Sequence, residues 1–168
     1  MATTYTLISS VTVGSGGAAT ISFTSIPATY TDLLVKVSAR TNRASLADSI
    51  LASLNGSTSN FTYRLIEGDG ASAYSANGTT GLVGVATAST ATASTFGNCE
   101  FYIPNYAGST NKSISVDSVI ENNATTAYAD LVATLWSNTA AITSITLTPA
   151  FGSFVQYSTA YLYGISNA

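Results

Sequence analysis

Eight carboxylates, Asp32, Asp48, Glu67, Asp69, Glu100, Asp117, Glu121 and Asp130, are the side chains of this 168-residue chain with the widest chemical reach. Two of them set about 5 to 10 Å apart would be enough for acid/base cleavage of a glycoside. They are dispersed along the sequence, and several alternate with apolar positions as solvent-facing strand residues do. No histidine occurs, which excludes Ser-His-Asp and Cys-His nucleophiles, imidazole-held zinc and a histidine general base. The single cysteine, Cys99, can form neither an intrachain disulfide nor a site of several thiolates, and it reads as a small buried hydrophobe. The expectation is a protein that is not an enzyme, with no catalytic residue, no metal site and no cofactor.

Two glycine-rich stretches resemble ligand loops in composition alone. Gly14-Ser15-Gly16-Gly17 joins two strand-like segments instead of opening a helix, so its amides do not converge on a phosphate, and it reads as a turn. Glu67-Gly68-Asp69-Gly70 could offer oxygens to calcium, but the alternating ligands of a calcium loop do not follow, and a tight turn fits better.

Charged residues make up only 8% of the chain, against roughly a quarter in an average soluble domain. Polar positions are filled instead by Ser, Thr, Asn and Gly. Such a surface costs less to desolvate than an ionic one and suits a protein packed against other subunits, although a secreted or cell-surface β-domain has a similar composition. Lys36, Arg40, Arg43, Arg64 and Lys112 are scattered and the net charge is -3, so the basic footprint that nucleic-acid binding needs is missing. No apolar stretch reaches the roughly 18 residues of a membrane span. The start, Met1-Ala2-Thr3-Thr4-Tyr5, lacks a basic region and an apolar run, so the expected route is synthesis in the cytoplasm without a signal peptide. Both chain ends are expected to be docked.

The elements that position these residues are strands. Period-two alternation recurs from end to end, and the length fits one domain. Tyr5, Leu7, Val11 and Val13 alternate with Thr4, Thr6, Ser10 and Thr12. After the glycine turn, Ala19, Ile21 and Phe23 predict the second strand of a hairpin sharing one buried face. Leu33, Val35, Val37 and Ala39 follow Pro27. Residues 44–54 fit a helix lined by Ala44, Ala47, Leu51 and Leu54, or a strand lined by Ile50, Ala52 and Leu54. The strand is favoured, in a hairpin with Phe61, Tyr63 and Leu65. Residues 68–95 are low in complexity and predict a long loop with at most one weak strand, the place where partner contacts are most expected. Strands resume at Phe101 and Ile103, at Ile114, Val116 and Ile120, at Leu131, Ala133 and Leu135, and at Ile145 and Leu147. A last strand from Phe154 to Ile165 is apolar on both faces. About ten strands and no helix predict one antiparallel β-sandwich of jelly-roll type over residues 1–168.

Ten tyrosines and one tryptophan stand out, because these rings combine large apolar area with a polar handle. Tyr102, Tyr106, Tyr157, Tyr161 and Tyr163 are candidate subunit contacts, with ordinary sheet packing as the alternative for each. Trp136 is assigned to the core.

Phe23-Thr24-Ser25-Ile26-Pro27-Ala28-Thr29-Tyr30-Thr31-Asp32-Leu33-Leu34, Tyr102-Ile103-Pro104-Asn105-Tyr106-Ala107-Gly108 and Leu162-Tyr163-Gly164-Ile165 resemble stretches of small virion structural proteins of tailed phages, including phages of cyanobacteria. Asn122-Asn123-Ala124 through Leu135-Trp136, and Ile145-Thr146-Leu147, also fit that likeness, while residues 68–95 match least. The resemblance implies a component of the virion: a capsid decoration or cement protein, or a module of the tail or its fibres. It implies assembly with the major capsid protein or other virion proteins, as a homo-oligomer, expected as a trimer. A receptor- or glycan-binding tail module is the alternative, and an unrelated carbohydrate-binding domain a third.

Overall fold

The computed structural model describes residues 4–123 and 126–166. Met1–Thr3, Ala124, Thr125, Asn167 and Ala168 lie outside the described residues, and with them the expectation that the extreme ends dock. Twelve strands form: β1 (Tyr5–Thr12), β2 (Ile21–Phe23), β3 (Asp32–Ala39), β4 (Ala47–Leu54), β5 (Phe61–Gly68), β6 (Ala73–Gly78), β7 (Leu82–Thr87), β8 (Gly97–Ile103), β9 (Lys112–Ile120), β10 (Tyr128–Trp136), β11 (Ile145–Pro149) and β12 (Thr159–Ile165). They build two antiparallel sheets packed as a β-sandwich. The larger runs β1-β12-β3-β8-β9-β10-β5-β6 and the smaller β2-β11-β4-β7. Strand β4 settles the choice at residues 44–54 in favour of a strand.

Four strand pairs are nested in sequence: β1 with β12, β2 with β11, β3 with β8 and β4 with β7. Two of the expected hairpins are therefore absent. β1 and β2 lie in different sheets, as do β4 and β5. Alternation reports that one face of a strand is buried but does not choose its neighbour. The turn at Gly14–Gly17, closed by the Gly17 amide on the Gly14 carbonyl at 3.0 Å, carries the chain from one sheet to the other.

Four further expectations are corrected. Residues 68–95 are not a long loop, since they contain β6 and β7. Strand β7 is buried along nearly its whole length, and its small residues allow close approach: a Cβ on Gly84 would stand 2.7 Å from the Cβ of Cys99 in the facing sheet. In β10 the inward face is Asp130, Val132, Thr134 and Trp136, while Leu131, Ala133 and Leu135 point the other way. Trp136 is core as expected and stacks on Phe61 with ring centroids 6.1 Å apart. In β1 a bulge between Leu7 and Ser9 adds a residue and reverses the phase of the alternation, so Tyr5 and Leu7 point outward and Val11 inward. The last strand begins at Thr159 and lies between β1 and β3.

The start of the loop from β7 to β8 is tied by Ser89 and Thr90 to the carbonyls of Arg43 and Ser45, and its far half by one arginine. The Arg40 guanidinium donates to the carbonyls of Ala91, Thr92 and Thr95 at 3.1, 2.9 and 2.9 Å. Its fixed fork matches several acceptors at once, which a lysine cannot do. Arg40→Ala is expected to cost about 2 kcal/mol, the scale of hydrogen bonds from a charged donor, and to expose residues 89–95 to protease. Urea unfolding and limited proteolysis measure both, and unchanged cleavage of this loop would contradict the clamp.

Candidate interaction face

The outward face of the larger sheet gathers side chains from strands far apart in sequence. Register places Leu7, Tyr163, Leu34 and Tyr102 side by side across β1, β12, β3 and β8. One row along, Tyr161, Lys36, Glu100, Asp117, Leu131 and Ile66 follow one another across β12, β3, β8, β9, β10 and β5. Of the nine exposed large apolar side chains among the described residues, six, Tyr5, Leu7, Ile66, Val119, Leu131 and Tyr161, lie on this face. Leu131 and Ile66 are 60% and 62% exposed although cross-strand neighbours. The six fall into two groups, Tyr5, Leu7 and Tyr161 on β1 and β12 and Val119, Leu131 and Ile66 on β9, β10 and β5, with Lys36, Glu100 and Asp117 between them. Apolar residues scattered singly are ordinary on a protein surface, and gathered ones make this face the candidate for contacts.

The charges on this face cancel, with Lys36 and Arg64 against Glu100 and Asp117. Lys36 donates to Glu100 at 2.7 Å, and that hydrogen bond raises the Lys36 pKa above its ordinary value. Both side chains are about half exposed, so the pair adds little stability. Tyr5, Leu34, Lys36, Glu100 and Tyr163 line a shallow depression of about 370 Å³. The other basic residues serve the fold: Arg43 packs over the Phe151 ring at 4.1 Å and lies 3.6 Å from buried Asp48, and Lys112 donates to the carbonyls of Gly108 and Thr110.

The five tyrosines singled out from sequence separate. Tyr102, Tyr161 and Tyr163 share the outward face. Tyr157 is exposed but sits in the turn before β12, with a left-handed backbone. Tyr106 is fully buried and donates its hydroxyl to the Pro27 carbonyl, so it is a core residue and no subunit contact. Residues 27–32, 102–106 and 164–165 meet around it. Asp32 accepts from the Tyr102 hydroxyl at 2.7 Å and the Asn105 amide at 2.8 Å, the Thr31 amide donates to the Ile165 carbonyl at 2.8 Å, and the Tyr30 ring covers Gly164. The hydrogen bond to Asp32 raises the Tyr102 pKa. These motifs build one corner of the framework.

One carboxylate pair appears that the sequence reading did not find. Asp130 lies directly opposite Glu67 in the β10–β5 register. Burial first, and then the charge and hydrogen bonding of Glu67, push Asp130 up to about 7. A neighbouring depression of about 250 Å³ is lined by Glu67, Asp48, Arg43 and Tyr128 but not by Asp130. Asp48 is committed to the Gly152 amide at 3.0 Å. Asp130 can hold a proton, but it does not line the space a substrate would enter. Cys99 is buried, and burial pushes its thiol up to about 12, so the reactive thiolate is suppressed. No protein-family model matches this chain, and no curated protein matches it either.

Proposed function

We propose that this protein is a non-enzymatic structural component of a tailed-phage virion, a capsid decoration or cement protein that works by burying its outward sheet face against other virion proteins. The observation that carries the reading is the concentration of exposed apolar side chains on one charge-balanced face. A face with no net charge repels neither a second copy nor the major capsid protein, and desolvating it costs little. Strand order supports the finer jelly-roll reading. The nested pairs give β1-β12-β3-β8 opposite β2-β11-β4-β7, with the hairpins β5–β6 and β9–β10 extending the larger sheet. Jelly rolls serve in viral capsids and in lectins, an analogy that favours assembly or glycan binding and assigns no residue a role.

The subunits, as trimers made in the host cytoplasm, would bridge junctions of the shell and raise the cost of separating capsomers. Leu131→Lys, which sets a cation beside Asp117, combined with Ile66→Thr is expected to leave the fold within about 0.5 kcal/mol of wild type, because both side chains are solvent-facing and no like charges are opposed, and to prevent incorporation into particles. Particle composition and resistance to heat and DNA release are the measurements. Equal incorporation of the double variant, or equal robustness of particles without the protein, would refute the cementing role.

The depression between Tyr5 and Tyr163 favours a second reading, a tail module that binds a host glycan. Two tyrosine rings beside a Lys–Glu pair provide stacking surface and hydrogen-bonding groups for a sugar. Antibody labelling of intact particles separates the two, since a signal confined to the tail excludes decoration.

A further inference from the structure

The two sheets have four edges, and three are protected against pairing with another chain. β1 carries the bulge between Leu7 and Ser9, β2 has only three residues, and β7 is buried and bridged at its end by Arg40. Bulges, short strands and coverage are the usual devices that blunt an edge. β6 has none of them. Ala73-Tyr74-Ser75-Ala76-Asn77-Gly78 contains no charge and no proline, and it pairs with β5 without a register break. Its turn is fixed, with the Asp69 carboxylate accepting from the amides of Ala71 and Ser72 at 2.9 and 2.6 Å. The smaller sheet packs over β8, β9 and β10 through β7 and covers Phe61 at the start of β5, so β6 lies beyond its margin. Tyr74 is left 60% exposed on the inward side of that overhang.

We infer that β6 pairs with β6 of a second copy of this chain, antiparallel about a two-fold axis, joining two larger sheets edge to edge. Side-chain alternation restricts the register, because only pairings with an even residue sum keep both inward faces on the same side. The pairing of Ser75 with its own counterpart meets that condition and uses most of the strand. Tyr74 then packs on the second copy's Ala76, and the outward row of Leu131, Ile66 and Ser75 continues across the seam. Charges agree with the same arrangement. The row of Arg64 runs on into Ala73 and Gly68 of the second copy, and that of Glu67 into Ala76 and Leu65, so no like charges face each other. A six-residue strand pair buries less than the roughly 1,200 Å² of a stable interface, so the seam is weak in dilute solution and forms where subunits are crowded. It would join three-fold clusters assembled through other surfaces.

Buried Cys99 is silent towards oxidation, so a thiol placed at the seam reports alone. Ser75→Cys brings the two sulfurs within disulfide reach, because facing Cα atoms of antiparallel strands lie about 4.5 to 5.5 Å apart. Under mild oxidation at high protein concentration, Ser75→Cys is expected to form covalent dimers about ten-fold faster than Ser15→Cys in the exposed Gly14–Gly17 turn, since pairing raises the local thiol concentration. Ala76→Cys tests the one other central register. Circular dichroism establishes that each variant is folded. If Ser75→Cys and Ala76→Cys both cross-link no faster than Ser15→Cys, including when an extended peptide of another protein occupies the edge instead, the inference is overturned. This outcome is independent of whether particles need the protein.

Discussion

Gly164→Ala is expected to destabilise the protein by about 3 kcal/mol, a substantial part of the total stability of a domain this size. A Cβ at this position would stand 2.3 Å from Cγ of Tyr30. Cγ is the root of the ring, so no rotation of a side-chain tip relieves the overlap. Neither partner can retreat. The Thr31 amide bonds the Ile165 carbonyl, and the Tyr106 hydroxyl holds Pro27, which fixes both ends of the segment that carries Tyr30. Urea unfolding of Gly164→Ala, Tyr30→Ala and the double variant tests the cause as well as the size. Removing the ring removes the clash, so the double variant should be no less stable than Tyr30→Ala. A change below about 0.5 kcal/mol for Gly164→Ala alone, within the range of neutral surface substitutions, would show that the corner yields.

The second large effect is on pH dependence. Asp130 is pushed up to about 7 in the folded protein, against about 3.9 for an unfolded aspartate. Between those values the folded chain holds a proton that the unfolded chain has released, so stability falls as pH rises from about 4 to about 7 and levels off above. At about 1.4 kcal/mol per pH unit, the effect is at most about 4 kcal/mol. The groups facing Asp130 are Glu67 on β5 and Ser118 on β9, and neither supplies a positive charge. Asp130→Asn keeps the shape and removes the proton equilibrium. Its stability should change little over this range and exceed that of wild type at pH 8. Thermal unfolding measured from pH 4.5 to 8.5 reads both curves, and parallel curves would show that Asp130 is not the group responsible.

Particular residues show how far the sequence could be read. Ile21 and Phe23, Val35 and Val37, and Ile114 and Val116 are buried as their alternation predicts, because the inward face of a strand is written two residues at a time. Cys99 is buried as a lone cysteine was expected to be, and Trp136 is core as expected, although on the face opposite the Leu131, Ala133 and Leu135 that were used to place it. Tyr106 was misread as a contact because its polar handle is met inside, by a carbonyl 79 residues away. Leu131, Ala133 and Leu135 were read as the buried face because that set is wholly apolar, whereas the set that is buried mixes Val132 and Trp136 with Asp130 and Thr134. Ile66, on the otherwise polar side of β5 with Thr62 and Arg64, was the one local signal of exposed apolar side chains on the outward face.

Composition and periodicity by themselves determined an all-β chain with little charge, no imidazole and no intrachain disulfide. These properties depend on residue type and on the next few neighbours. Partnership between strands depends instead on chain paths between sheets, and only the tertiary structure decided it. It placed β1 beside β12 and β4 beside β7, set Glu67 against Asp130, gathered the outward apolar patch and left β6 uncovered. The physical reason is that a backbone hydrogen bond is the same for every residue, so side chains specify which face is buried while the whole packing selects which strand lies alongside.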